Sequence, residues 1–330
     1  MKRRDDALAT ILLTSRLCAS GLKPFTPKPF WKLAEKVDDK PEVLFTLNHS
    51  QLIRDRGLSK EEAKQVLKLF GRATALAFEL ERLEQSGIKT LTVFDDHYPH
   101  HWKERLRHRA PPLLYAAGAV DLLDKPGLGV VGSRDVSQDG GDFAEEVART
   151  AAKRGLPLVS GGARGVDQLA MDAAIKTEGT VIGILADSLL RKLKRSDVRK
   201  AIYEGNTVLC SPYSPNAPFS AGNAMGRNKL IYAQARLTVV VASAEGKGGT
   251  WSGASEALKE GYGKVAVWRG KGEGAGNDSL EKKKAKPVSG LDDLESLLDS
   301  PDSPGARSDN PGIDNKTDMV TQPELFDGVG

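Results

Sequence analysis

Four short segments of this 330-residue chain bring glycine together with arginine or lysine. They read GSRDVS (132–137), SGGARGVD (160–167), SPYSPNAPFSAGNAMGRNKL (211–230) and SAEGKGGTW (243–251). Glycine lets backbone N–H groups approach an anion closely and adopt positive φ. A helix that starts just beyond such a loop adds a partial positive charge. Arg134, Arg164, Arg227, Lys229 and Lys247 add full charges, and no carboxylate cluster in these segments offsets them. The chemistry this combination suits is the holding of phosphate. Tyr213, Phe219 and Trp251 lie in the same segments and offer rings on which bases could stack.

The elements that must carry these loops are regular. Apolar, strand-like runs occur at LGVVG (128–132), LPLVS (156–160), TVIGILA (180–186), TVLCS (207–211), LTVVVA (237–242) and KVAVW (264–268), with helical patterns between them. Such alternation predicts an α/β fold, an extended Rossmann-like, doubly wound parallel sheet covered on both faces. A run order of 3-2-1-4-5-6 puts the switch point between the first and fourth runs, with the basic loops at the C-terminal sheet edge. IKTLTVFDD (88–96) and PPLLYAAG (111–118) read as strand lead-ins. Residues 1–87 read as a small helical N-terminal domain. A capping box from Ser59 to Glu62 opens a helix with Ala63, Val66, Leu67, Phe70, Leu76, Leu80 and Leu83 at helical spacing, and Gly87 is its stop. GLKPFTPKPFWKL (21–33) reads as packing between the two domains. Residues 88–270 form the Rossmann-like domain. Residues 271–330, rich in Gly, Ser, Pro, Asp and Asn, read as a disordered acidic tail with a short helix at 290–300.

Bulk composition narrows the function classes. The net charge is +4, but residues 271–330 hold 7 basic against 13 acidic residues, so the rest of the chain carries +10. A basic body suits a polyanion. No run of 18 apolar residues predicts a membrane span, and the short ATILLTSRL (9–17) reads as an ordinary helix rather than an export signal. A cytoplasmic protein is expected, with Cys18 and Cys210 as two buried thiols and no metal site. The GxGxxG spacing is absent after the first run, and Ser160-Gly161 closes the second where a ribose-binding acid would stand, which argues against a dinucleotide oxidoreductase. No cofactor and no catalytic group are expected.

GSR, SGGARGVDQLAMDAA, RNKLIYA and GGTWSGASEAL, in this order and spacing, resemble the DNA-processing protein A (DprA/Smf) family over roughly residues 88–268. The resemblance implies single-stranded DNA binding on an extended Rossmann fold, homodimers, protection of incoming strands in natural transformation, and help in loading the RecA recombinase. The positions that match its DNA-contacting motifs are Ser133, Arg134, Gly161, Gly162, Arg164, Arg227, Asn228, Lys229, Gly249 and Thr250, to which composition adds Lys247. The chain departs from the family at Met171, where a histidine is common, in the wording of GGTWSGASEA, and in ending on an acidic stretch instead of a winged-helix-like domain. Similar proteins also occur in bacterial defence modules.

Two other classes use related loops. Lonely-guy phosphoribohydrolases carry PGGxGTxxE. Here Gly253 stands three after Thr250 and the acid is Glu256, one helical turn late. A sensor of a small nucleotide-derived ligand would use the same pocket. Near the C-terminus, QPELF resembles the QxxLF peptide that docks on the DNA sliding clamp, with Gln322, Leu325 and Phe326 as its anchors. The sliding clamp is therefore a further expected partner.

Overall fold

A computed structural model describes residues 5–19 and 21–300. The N-terminal part holds α1 (Asp5–Thr14), α2 (Pro27–Glu35), α3 (His49–Arg56), α4 (Lys60–Phe70) and α5 (Ala73–Gln85). The capping box forms: Ser59 Oγ accepts from the Glu62 amide and Glu62 Oε2 from the Ser59 amide. The helix expected over 58–87 breaks in two at Gly71-Arg72. The buried Arg72 guanidinium turns back to donate to the carbonyls of Leu12, Ser15 and Leu17, the otherwise unsatisfied end of α1. Ala63, Val66, Leu76 and Leu83 are core positions as expected, whereas Leu67 is exposed.

The rest is a nine-stranded sheet: β1 (Lys89–Thr92), β2 (Leu113–Gly118), β3 (Gly127–Val131), β4 (Leu158–Ser160), β5 (Val181–Ile184), β6 (Thr207–Ser211), β7 (Ala235–Val240), β8 (Lys264–Trp268) and β9 (Lys286–Val288). Helices α6 (His101–Leu106), α7 (Gln138–Lys153), α8 (Val166–Lys176), α9 (Leu189–Leu193), α10 (Ser196–Tyr203), α11 (Ala221–Gln234), α12 (Gly248–Glu260), α13 (Asn277–Lys282) and α14 (Leu291–Asp299) complete the order. Strands β3 to β9 are parallel, and β1 and β2 extend one edge antiparallel. The six expected runs are all strands, with helices on both faces. One core cluster sets α7 and α8 against the sheet. The other sets α11, α12 and helices α2 to α4 against the opposite face, with Leu13, Phe30, Leu230, Ile231 and Ala257 among its members.

The strand order is β1-β2-β6-β5-β4-β3-β7-β8-β9. In the numbering of the six runs this is 4-3-2-1-5-6, not 3-2-1-4-5-6. The fourth run pairs with the third, so the reversal lies between β3 and β7. Periodicity identifies crossover helices but does not say on which side of the sheet the next strand lands. The right-handed rule fixes it only once the covered face is known. Here α11 and α12 share the face opposite α7 and α8, which sends β7 back past β3.

Two further expectations are corrected. Cys18 is exposed; Cys210 is buried, which pushes its thiol up to about 12. Residues 277–288, assigned by composition to the disordered tail, fold as α13 and β9 onto the sheet edge, and the short helix expected at 290–300 forms as α14. Asn277 is fully buried, its amide donating to the carbonyls of Val241 and Trp268 at 2.9 Å and its Oδ1 accepting from Ser243. The clamp-type peptide with Gln322, Leu325 and Phe326 lies outside the described residues. The segment 21–33 does pack between the parts, with Trp31 buried and its indole N–H donating to the Ala110 carbonyl at 2.8 Å. Among the described residues, no helix is long and apolar enough to cross a membrane.

Candidate nucleic-acid interface

Beyond the C-terminal ends of β3 and β7 the chain leaves a groove of 690 Å³. This is the crevice that a reversal of strand order opens. Ser133 and Arg134 line it from the β3 loop, Phe219, Arg227 and Asn228 from the β6 loop and α11, and Lys247, Gly249 and Thr250 from the β7 loop and the start of α12. A second depression of 400 Å³ shares Arg134, Phe219 and Arg227 and adds Gly161, Gly162 and Arg164. Ten of the eleven expected phosphate ligands and one of the three rings therefore meet at one sheet edge.

These residues play different parts. Asp167, the second residue of α8, is buried among backbone amides. Gly161 N donates to its Oδ2 at 3.2 Å, and the amides of Ala163 and Gly132 also donate to the carboxylate. The Val166 amide donates to the Ser133 carbonyl and the Gln168 amide to that of Ala163. The amides expected to cradle phosphate after β4 are thus taken by the chain's own carboxylate. Burial works against the Asp167 charge, and Arg227 is the largest opposing influence. Arg227 is only 5% exposed and donates to the Ile184 carbonyl at 2.9 Å. A Cβ on Gly161 would fall 1.3 Å from its Nη1, so the glycine makes room for the guanidinium rather than for a ligand. Gly165 sits at φ +83°, where a Cβ would strike the Ser133 carbonyl oxygen at 2.4 Å.

Ser133, Asn228 and Thr250 are positioning residues. Ser133 Oγ closes a turn with Asp135. Asn228 Nδ2 donates to the Gly249 carbonyl at 2.9 Å, and Thr250 Oγ1 donates to the Gly132 carbonyl at 2.9 Å, tying the β3 and β7 loops together. What remains open to a ligand is Arg134, Lys247 and the start of α12. Lys247 is the exposed N-cap, no side chain caps the helix, and its first turn holds no acid. Arg134 and Lys247 have no carboxylate partner among the described residues. Arg134 lies over the half-exposed Phe219 ring, 5.1 Å from its centroid. Arg164 stands at the rim, exposed and paired with Asp135 at 2.7 Å.

Three expected site residues lie elsewhere. Lys229 and Tyr213 line a separate cavity on the other side of α11. Trp251 is half-buried against the core, with Lys283 above its ring, and lines neither depression. Two groove residues escaped the sequence reading. Asp167 stood inside the quoted motif without a role. Met225, exposed in the groove wall, carries no signal, because one methionine in a polar segment has no pattern. Glu256, the displaced acid of the hydrolase reading, accepts from the Tyr262 hydroxyl at 3.0 Å and does not line the groove. Gly253 packs against Asn228 and Tyr232.

The family model described as DNA recombination-mediator protein A matches residues 89–299. Over 261 residues the chain is 26% identical to the DNA processing protein DprA of Bacillus subtilis, covering 78% of this chain and 84% of that protein. It is 31% identical over 185 residues to that of Streptococcus pneumoniae, covering 56% and 64% respectively. Among solved structures, the DprA of Streptococcus pneumoniae superposes with a TM-score of 0.70 at 24% identity, over 90% of this chain and 98% of that one. The DprA of Helicobacter pylori, described by its single-stranded DNA binding mode, gives 0.52 at 26% identity, over 64% and 95%.

Proposed function

Since the chain belongs to the DNA recombination-mediator protein A family, we propose that it binds single-stranded DNA in the groove between the β3 and β7 loops. It does so by holding the strand, not by turning it over. The observation that carries this is the pairing of Arg134 and Lys247 with an uncapped start of α12, beside the Phe219 ring. The only carboxylate among the groove's lining residues is Asp167, buried and already bonded. Two cations and a helix start suit successive phosphates, and an exposed ring suits a base of any sequence. Strand protection and the assistance of RecA loading, in transformation or recombination and as a homodimer, complete the proposal. They are supported by family membership, and the single-stranded DNA binding named for the Helicobacter pylori relative agrees with them.

The test is fluorescence anisotropy with labelled single- and double-stranded oligonucleotides over a salt series. Tight preference for the single strand is expected, with affinity falling as salt rises. Arg134→Ala should weaken binding about tenfold and flatten the slope of log K against log salt by about 0.7, the loss of one phosphate contact on a single strand. Unchanged affinity and slope would remove the groove from the account. A second reading, a sensor of a small nucleotide-derived ligand, is favoured by the groove's 690 Å³, within the usual size range of small-molecule sites. Thermal-shift screening against nucleotides separates the two: a small ligand raises the melting temperature without an oligonucleotide present. Hydrolysis finds no free carboxylate among the groove's lining residues to act as acid or base.

A further inference from the structure

Helix α11 walls two cavities. Arg227 and Asn228 face the groove, while Gly226, Lys229 and Leu230 line a smaller cavity of 190 Å³ on its other side. Across this cavity stand Arg16, just after α1, and Phe25, Thr26 and Pro27, the lead into α2. Pro111, Pro112 and Pro212 lie between. The unexplained proline-aromatic segment and the misplaced Lys229 and Tyr213 meet here.

The lining combines rigid flat walls with positive charge. Tyr213 is fixed by its hydroxyl, which donates to the Asn223 carbonyl at 2.9 Å. Tyr115 is fixed by a hydroxyl contact with Ser15 Oγ at 2.9 Å. Arg16, Arg109 and Lys229 come from three separate segments, and no carboxylate is among the lining residues. Arg109 is held by Glu260 Oε2 at 2.7 Å and the Tyr262 hydroxyl at 2.6 Å. Lys229 and Arg16 have no hydrogen-bond or ion-pair partner among the described residues. Lys229 is half-buried. Burial works against its charge, Glu256 partly offsets this, and Arg109 and Lys28 add repulsion. Cations gathered at a half-buried place favour an arriving anion. A volume of 190 Å³ is below the roughly 300 Å³ at which drug-sized sites begin, which limits it to a single nucleotide and excludes a dinucleotide.

We propose that this cavity binds a single nucleotide, its base against the prolines and Tyr213 and its phosphate against Lys229 and Arg16. Two sources share that chemistry: a free mononucleotide, or one nucleotide of a strand that also occupies the groove. The second source rests on the groove reading; the first does not.

Calorimetry of the full chain with dAMP and with inorganic phosphate, beside anisotropy with a 30-nucleotide strand, tests this. A free-nucleotide site predicts saturable dAMP binding, weakened at least tenfold by Lys229→Ala and unchanged by Arg134→Ala. A strand source predicts that Lys229→Ala weakens the 30-mer at least threefold, multiplying the loss from Arg134→Ala in the double variant. No dAMP binding together with wild-type strand affinity for Lys229→Ala overturns the site. Inorganic phosphate binding as tightly as dAMP overturns the nucleotide assignment. Strand affinity untouched by Arg134→Ala alone sinks the groove reading and leaves the dAMP result standing. Melting curves check that Lys229→Ala folds, and the exposed Arg16→Ala repeats each arm if it does not.

Discussion

The loop after β4 and the loop after β7 have nearly the same composition, three glycines and one cation each, and they open at the same sheet edge. The β4 loop is turned inward: its amides meet Asp167, its first glycine is filled by Arg227, and its cation, Arg164, is paired at the rim. The β7 loop is turned outward, with Lys247 unpaired among the described residues and α12 uncapped. The contrast lies at the second position of the following helix, Asp167 in α8 and Gly249 in α12. A carboxylate there supplies the anion from within; a glycine leaves the amides for an anion from outside. Glycine richness by itself therefore does not mark a phosphate loop. The amides must also lack an internal acceptor.

The largest effect that tests this contrast is on stability. Asp167→Ala should cost about 3 kcal/mol or more, because it strands several amides and leaves Arg227 buried without its counter-charge. Thermal or urea denaturation measures it. A variant as stable as the natural chain, with tighter strand binding, would mean that the β4 loop is a phosphate loop after all and the contrast false.

The reciprocal change moves the carboxylate. Gly249→Asp places an acid at the second position of α12. A Cβ there would lie 3.2 Å from Asn228 Nδ2, close but against the end of a side chain. Strand affinity should fall roughly 30-fold, about 2 kcal/mol, while the melting temperature holds or rises. Anisotropy and a melting curve on the same sample decide. Unaltered affinity would place the strand away from α12.

Much of this was legible in the residues. The six strand runs and the basic sheet edge follow from periodicity, which burial imposes. The position of the reversal does not, because neither side of β3 is marked in the sequence. Arg227, Asn228 and Lys229 read as one basic motif, yet neighbours on a helix point about 100° apart, so Arg227 is buried at the base of the groove, Asn228 lines its wall and Lys229 faces the second cavity. Asp167 was visible, but its role depends on an amide of Gly132 in a different loop. In α14 the spacing of Leu291, Leu294 and Leu298 did show through as a short helix. Around it, the polar composition of residues 277–290 hid β9 and α13, whose hold on the sheet comes from Asn277 and a few buried side chains.

The rings extend the contrast from charge to stacking. Phe219 is half-exposed beneath Arg134 in the groove, whereas Trp251, one residue beyond Thr250, packs against the core. Phe219→Ala should weaken a single strand about tenfold, within the range for one stacked base. Trp251→Ala should leave affinity unchanged and lower the melting temperature. The reverse pattern would show that the bases lie along α12 and not along the α11 side of the groove.

The smallest expected effect belongs to Arg164. The motif alone ranks it with Arg134, since both follow glycine loops at one edge. Their surroundings differ. Arg164 is exposed and its guanidinium is engaged by Asp135 at 2.7 Å, so a phosphate must compete with a carboxylate already in place. An exposed pair of this kind contributes about 0–1 kcal/mol to the fold, so little stability is lost with it. Arg164→Ala should weaken strand binding less than threefold and change the salt slope by well under the 0.7 expected of a full contact. Asp135→Ala, which frees the guanidinium, should tighten binding and steepen the slope. If Arg164→Ala matches Arg134→Ala in both measures, the strand runs across the β4 loop as well. The two loops would then differ in how they treat their own amides but not in what they hold.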